Sequence, residues 1–176
     1  LTRSGSVVGR LGFQAARYTG DGGVPPQEGN HHPTRAPMGM YSARDGFVNI
    51  AAPWGRLWST LCSVVERPDL ENDARFSTPM LRSKNREVLN EELAASLMTR
   101  TTTEWVERMN GAGIPSGPVN DVGETSAAPQ VRHLEIATPV QHPERGEIQI
   151  LRNATHLEGV PSEIRRPDPA PGEPSD

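Results

Sequence analysis

The sequence predicts a mixed α+β fold, and three observations carry that expectation. Two short alternating apolar runs flank Asp45-Gly46, three later stretches place apolar residues three and four apart, and glycine- and proline-rich segments separate these patterns. Hydrophobic residues make up 34% of the 176 residues and aromatics 5%, while Gly and Pro number 17 each, so a loop-rich protein with a modest core is expected.

The elements follow in chain order. Val8, Leu11, Gln14, Ala15 and Tyr18 continue a helical spacing begun by Val7, which predicts a helix over residues 6–18 ended by Gly20. That pattern is already under way at the first residues, and Leu1 is no initiator methionine, so the natural polypeptide is expected to extend further N-terminally. Residues 20–37 carry four prolines and read as a long irregular connection. Asp45-Gly46 then marks a hairpin over residues 38–52.

Trp54, Leu57, Trp58, Leu61, Val64 and Val65 form one helical stripe, stopped by Arg67-Pro68, and Val88, Leu89, Leu93 and Leu97 form a second. A third helix starts at Thr101, with Glu104 completing a capping box, and buries Trp105, Val106 and Met109. The tryptophans match the spacing of their stripes and are assigned to the core. The stretch "GAGIPSGPVND" cannot prolong that helix, because Pro115 and Pro118 lack the backbone N–H, while Gly113 and Gly117 can supply positive φ. A bent, held turn is expected there. A polar segment follows, then a strand, turn and strand over residues 137–151 with Gly146 in the turn. From Val160 onward, five prolines in seventeen residues predict an extended arm.

Charge and motifs narrow the chemistry. A net charge of −4 gives no electrostatic support for a nucleic-acid partner, and Arg165-Arg166 reads as a solvated pair. Cys62, the single cysteine, excludes an intrachain disulfide and is expected to be a buried thiol. No stretch approaches the ~20 apolar residues of a membrane span, so a soluble, cytoplasmic protein is expected. The sequence has no G-x-S-x-G elbow, P-loop, H-E-x-x-H pair or paired cysteines. His31 and His32 are adjacent in an extended stretch and point apart, so no metal site is expected. Asp69, Glu71 and Asp73 read as a solvated turn.

Six stretches in this order, "GNHHPTRAP" before "YSARDGFVNIAA", "RPDLENDARFSTPMLRSKNREVLNEEL", "TTTEWVERMNGAGIPSGPVND", "HPERGEIQI" and "RRPDPAPGE", carry a family resemblance. The chain resembles the C-terminal portion of the family III CoA-transferases, the CaiB/BaiF group that includes formyl-CoA transferase, carnitine CoA-transferase and α-methylacyl-CoA racemases. The resemblance implies the small α+β domain of that fold, with short antiparallel strands, three to four helices and a proline-rich arm. It divides the chain into residues 1–37, a helix and connection from the large domain; residues 38–122, the small domain; and residues 123–176, a returning segment.

It also implies an interlocked homodimer whose N-terminal half, absent here, carries the CoA site and the catalytic aspartate. The expected reaction moves CoA between an acyl-CoA and a carboxylic acid. CoA thioester is then a substrate of the complete enzyme, and no cofactor is bound by this chain alone. The family aspartate is expected at the head of the first helix, where this sequence has Gly5 and no carboxylate before Asp21, so it lies just upstream of Leu1 or is missing, and no catalytic residue is assigned. The covering loop of formyl-CoA transferase corresponds to residues 30–36, which makes Asn30, His31 and His32 the substrate-binding candidates, with loop anchoring as their other reading. Racemase or isomerase chemistry, and a non-catalytic interaction module, are the alternative functions.

Overall fold

A computed structural model of the protein describes residues 8–152 together with Gly5, Gly159, Ile164 and Gly172. Val7, the Arg165-Arg166 pair and nearly all of the proline-rich arm lie outside the described residues. The chain divides into two compact units, Leu1–Val119 and Asn120–Asp176. The fold is mixed α+β, as expected.

In the first unit, helix α1 (Gly12–Asp21) precedes the hairpin of β1 (Met38–Ser42) and β2 (Phe47–Ala51). The strands run antiparallel in the register Met38↔Ala51 to Ser42↔Phe47, with Asp45-Gly46 in the connection. Neither residue adopts the positive φ of a two-residue hairpin turn. Asp45 is held elsewhere: its Oδ1 accepts the Thr102 backbone N–H at 2.7 Å and the Thr102 hydroxyl at 3.0 Å. Side chains alternate, so Tyr41, Val48 and Ile50 face inward.

Helix α2 (Gly55–Val64), a 3₁₀ turn (Pro68–Glu71), α3 (Pro79–Lys84), α4 (Arg86–Leu97) and α5 (Thr102–Gly111) follow. Helix α4 packs on β1, and α5 on β2. Leu61 and Cys62 from α2, Leu89, Leu93 and Leu97 from α4, and Trp105 and Met109 from α5 are fully or almost fully buried in one core. The Trp105 indole N–H donates to the Leu97 carbonyl at 2.7 Å, which satisfies the one polar atom that so large a side chain brings inside. The capping box at Thr101 and Glu104 is present with both of its reciprocal bonds.

Several elements differ from the sequence reading, each for a physical reason. Helix α1 runs through Gly20 and stops at Gly22, whose φ of 75° allows its N–H to reach the Tyr18 carbonyl. Trp54 is half exposed because it is the extended residue before α2, so its side chain leaves the stripe and lies under the Arg35 guanidinium, 4.6 Å from its centre. Val88 is also exposed, since the buried row of α4 repeats every four residues through Leu89, Leu93 and Leu97.

The turn after α5 does more than bend. Gly113 has a φ of 80°, and residues Ser116–Pro118 then form β3, an edge strand antiparallel to β2 with Ile50↔Ser116 and Val48↔Pro118. Proline is tolerated on such an edge because its missing N–H is not needed by a neighbour. The sheet order is β1-β2-β3.

The acidic stretch is a solvated turn, as expected, with two of its carboxylates paired at the surface: Asp69 and Glu71 are exposed and Asp73 partly so. Asp69 pairs with Arg67 at 2.7 Å and Asp73 with Arg75 at 2.6 Å.

In the second unit, the polar segment contains two short helices, α6 (Val122–Ala127) and α7 (Pro129–His133), and α6 begins with a capping box formed by Asp121 and Glu124. Strands β4 (Ala137–His142) and β5 (Gly146–Leu151) form the expected hairpin, with Gly146 at φ 72° opposite His142. No helix among the described residues is long and apolar enough to cross a membrane.

Candidate functional site

The candidate residues occupy a segment, 28–36, that has little secondary structure of its own. His31 forms an isolated antiparallel bridge with Gly39, and the His32 N–H donates to the Met38 carbonyl at 2.9 Å. Most of the remaining hold comes from side chains of α3 and α4. Arg82 Nε donates to the Ala36 carbonyl at 3.3 Å and Ser83 Oγ to the Thr34 carbonyl at 2.7 Å. Arg86 donates to Glu28 Oε2 at 2.7 Å and to the Pro33 carbonyl at 2.9 Å. Asn90 Nδ2 lies 3.5 Å from His31 Nε2.

Arg82 is the deepest of these. It is 2% exposed, and its guanidinium also donates to the carbonyls of Phe76 at 2.8 Å and Pro53 at 2.9 Å while lying 4.9 Å from the Trp58 ring centre. Three carbonyls and an aromatic face solvate a cation that has no carboxylate partner among the described residues. Burial lowers its pKa, yet guanidinium is too basic to lose its proton.

The candidates themselves face different ways. His31 is half-buried, meeting the Tyr41 ring edge-on at 5.4 Å between centroids. His32 stacks on Phe13 of the segment leading through α1, with centroids 5.7 Å apart and planes 7° from parallel. Its Nδ1 accepts the Thr34 N–H at 3.2 Å, which leaves the Nε2 edge for other partners. Asn30 is exposed, with its amide nitrogen 3.6 Å from Met40 Sδ. Burial and then Arg86 lower the His31 pKa, and burial and then Arg35 lower that of His32, so both are neutral at pH 7.

A groove of about 590 Å³ adjoins the segment, lined by Thr34, Arg35, Pro53, Met80 and Lys84 among others. Among the described residues, no group of three His, Cys, Asp or Glu side chains could hold a metal.

These groups can donate or accept hydrogen bonds to an oxygen-rich ligand. None of the three is a carboxylate, and the Glu28 carboxylate of the same segment is engaged by Arg86. Asn30, His31 and His32 therefore share one segment, but His31 is directed inward and only Asn30 and the His32 edge are directed away from the core. Arg82, Arg86 and Asn90, four residues apart, escaped sequence reasoning because they read as the polar face of an amphipathic helix. Their spacing was the available signal: side chains four apart share a face even across the break at Asn85.

The first unit is thus a small α+β module whose polar segment, residues 28–36, is braced by side chains of α3 and α4. The chain belongs to CoA-transferase family III, whose model matches residues 3–175. It is similar to the human succinyl-CoA:glutarate CoA-transferase, 27% identical over 96% of this chain and 38% of that one. The succinyl-CoA:mesaconate CoA-transferase of Haloarcula hispanica is 33% identical over 89% of this chain and 37% of its own length. Among solved structures, a CaiB/BaiF family protein from Brucella suis superposes with a TM-score of 0.78 at 26% identity, covering 92% of this chain and 42% of that chain. The chain thus spans about two fifths of the length of the relatives it matches.

Proposed function

We propose that this chain forms the C-terminal part of a cytoplasmic CoA-transferase that moves CoA from an acyl-CoA to a carboxylic acid. Its first helix packs on a large domain that supplies the CoA site and the nucleophilic aspartate, the connection up to residue 37 leads from that domain, and the complete enzyme works as a homodimer. The two relatives named above act, by name, on succinyl-CoA with glutarate or mesaconate, which supports an acyl-CoA donor and a carboxylic acid acceptor. Within that enzyme, residues 28–36 line the substrate site, and Asn30, His31 and His32 are their substrate-binding and anchoring side chains.

One observation carries the reading: no residue of α1 or of its lead-in from Val8 is fully buried. Val8, Leu11, Phe13 and Tyr18 are all more than half exposed, although the family match runs through them. An apolar face of that extent belongs against another surface. The chain alone is expected to give no transfer of CoA from succinyl-CoA to glutarate or mesaconate, whereas a longer polypeptide that supplies the remaining three fifths of a relative's length restores it. Turnover by this chain alone overturns the proposal.

A further inference from the structure

Asn90 lies within α4, a position where asparagine is a weak helix former. Its amide joins two side chains. Oδ1 accepts the Tyr41 hydroxyl proton at 3.0 Å, and Nδ2 lies 3.5 Å from His31 Nε2. The amide oxygen has no proton to give, so the polarity of the first bond sets that of the second. The amide N–H points at Nε2, which must then offer its lone pair.

Turning the amide over would direct Nδ2 at the Tyr41 oxygen and deprive the phenolic proton of this acceptor. Tyr41 is 4% exposed, so an unmet proton there is costly.

The remaining imidazole nitrogen, Nδ1, faces Gly39. A Cβ built on Gly39 would collide with Nδ1, and would come within 2.8 Å of the Asn30 carbonyl oxygen and 2.9 Å of His31 Cα. Gly39 itself has a φ of 154°, so a side chain there is disfavoured twice. The imidazole is therefore confined on one edge by Asn90, on another by Gly39 and against the ring of Tyr41. The charged groups around it are Arg86 from α4, which opposes the imidazolium, and Glu28 from the connection, which favours it while itself paired to Arg86.

We propose that Asn90 is a positioning residue, which holds His31 as the neutral Nδ1–H tautomer and makes it the inward anchor of residues 28–36. Asn30 and His32 are left as the side chains that meet a substrate. This assignment rests on the reading of residues 28–36 as a substrate-lining segment and deepens it. It also makes the segment a fixed wall, held by α3 and α4 at Glu28, His31, Pro33, Thr34 and Ala36.

The test is long-range ¹H–¹⁵N NMR on the full chain with labelled histidine. At pH 7, His31 is expected to show a protonated Nδ1 and an unprotonated Nε2. Asn90→Asp replaces the donor with an acceptor, so the tautomer is expected to invert and the His31 midpoint to rise by about one pH unit. Should that variant fail to fold, Tyr41→Phe removes the phenolic proton that orients the amide, and mixed tautomers are expected.

A protonated Nε2 in the parent chain, or variants whose His31 signals match the parent, overturn the assignment. None of these signals depends on CoA transfer. If the tautomers behave as stated but His32→Ala leaves turnover of the longer enzyme unchanged, the substrate-lining reading fails and the positioning role of Asn90 stands.

Discussion

Arg82 and Cys62 show how burial acts on single side chains in opposite ways. The Cys62 thiol is fully buried, and desolvation pushes its pKa up to about 12, so it stays protonated and packs as a small apolar group. Arg82 cannot give up its charge. It persists inside only because Ala36, Pro53 and Phe76 turn their carbonyls to it, and those carbonyls in turn depend on it for their hydrogen bonds. Arg82→Met keeps most of the volume and removes every donor. It is expected to cost about 2 to 4 kcal/mol, because a buried carbonyl left without a partner costs about 1 to 3 kcal/mol and some of these can relax towards water. Urea denaturation with a cooperative transition measures this, and a variant as stable as the parent would show that the carbonyls find other partners.

At the scale of elements, helix starts and segment ends are set by side chains acting over long sequence separations. Helix α5 begins with carboxylates on two of its free N–H groups, Glu104 on its own capping box and Asp45 arriving from the hairpin connection. The Thr102 backbone N–H holds Asp45 below the usual carboxylate range, and the Thr101 backbone N–H does the same for Glu104. A carboxyl depressed in the fold stabilises it at pH values above the unfolded pKa, about 3.9 for Asp and 4.3 for Glu. That stabilisation is lost as pH falls through the lower folded value. Asp45→Ala is therefore expected to lower the thermal midpoint at pH 7 and to converge on the parent in strong acid. Calorimetry from pH 7 down to pH 2 checks this, and a midpoint difference that does not shrink with acid would remove Asp45 as a cap.

At the scale of the molecule, the first unit has a well-packed centre beside a helix that has none. The core of α2, α4 and α5 closes over one face of β1-β2-β3, while α1 and its lead-in leave Val8 61%, Leu11 52%, Phe13 56% and Tyr18 58% exposed. The purified chain is expected to self-associate through this face. Leu11→Glu with Val8→Glu should return it to monomer while leaving the unfolding transition of the core in place, since neither residue contributes to that core. Sedimentation velocity over a concentration series decides. A parent chain that is monomeric throughout would mean that the face needs no cover, and the argument for a missing packing partner would lose its support.

Much of this protein was legible in one dimension wherever a pattern is local. The hairpin at Asp45-Gly46, the Thr101 box, the buried rows of α4 and α5 and the β4-β5 hairpin depend on residues a few positions apart, and the family likeness on short stretches kept in order along the chain. Helix α6 carried a local signal that the polar-segment reading passed over, since Asp121 and Glu124 repeat the spacing of Thr101 and Glu104. Other features depend on the meeting of distant residues, which no period encodes. Ser116–Pro118 became a strand because β2 offered it an edge. Trp54 left the core because the chain is still extended where it sits, before α2 begins. The candidate site divides along the same line. The sequence by itself determined that Asn30, His31 and His32 lie together in an irregular polar segment. Only the tertiary structure decided that His31 turns inward, that His32 stacks on Phe13, and that Arg82, Ser83, Arg86 and Asn90 hold the segment, because those contacts exist only once α3 and α4 lie against it.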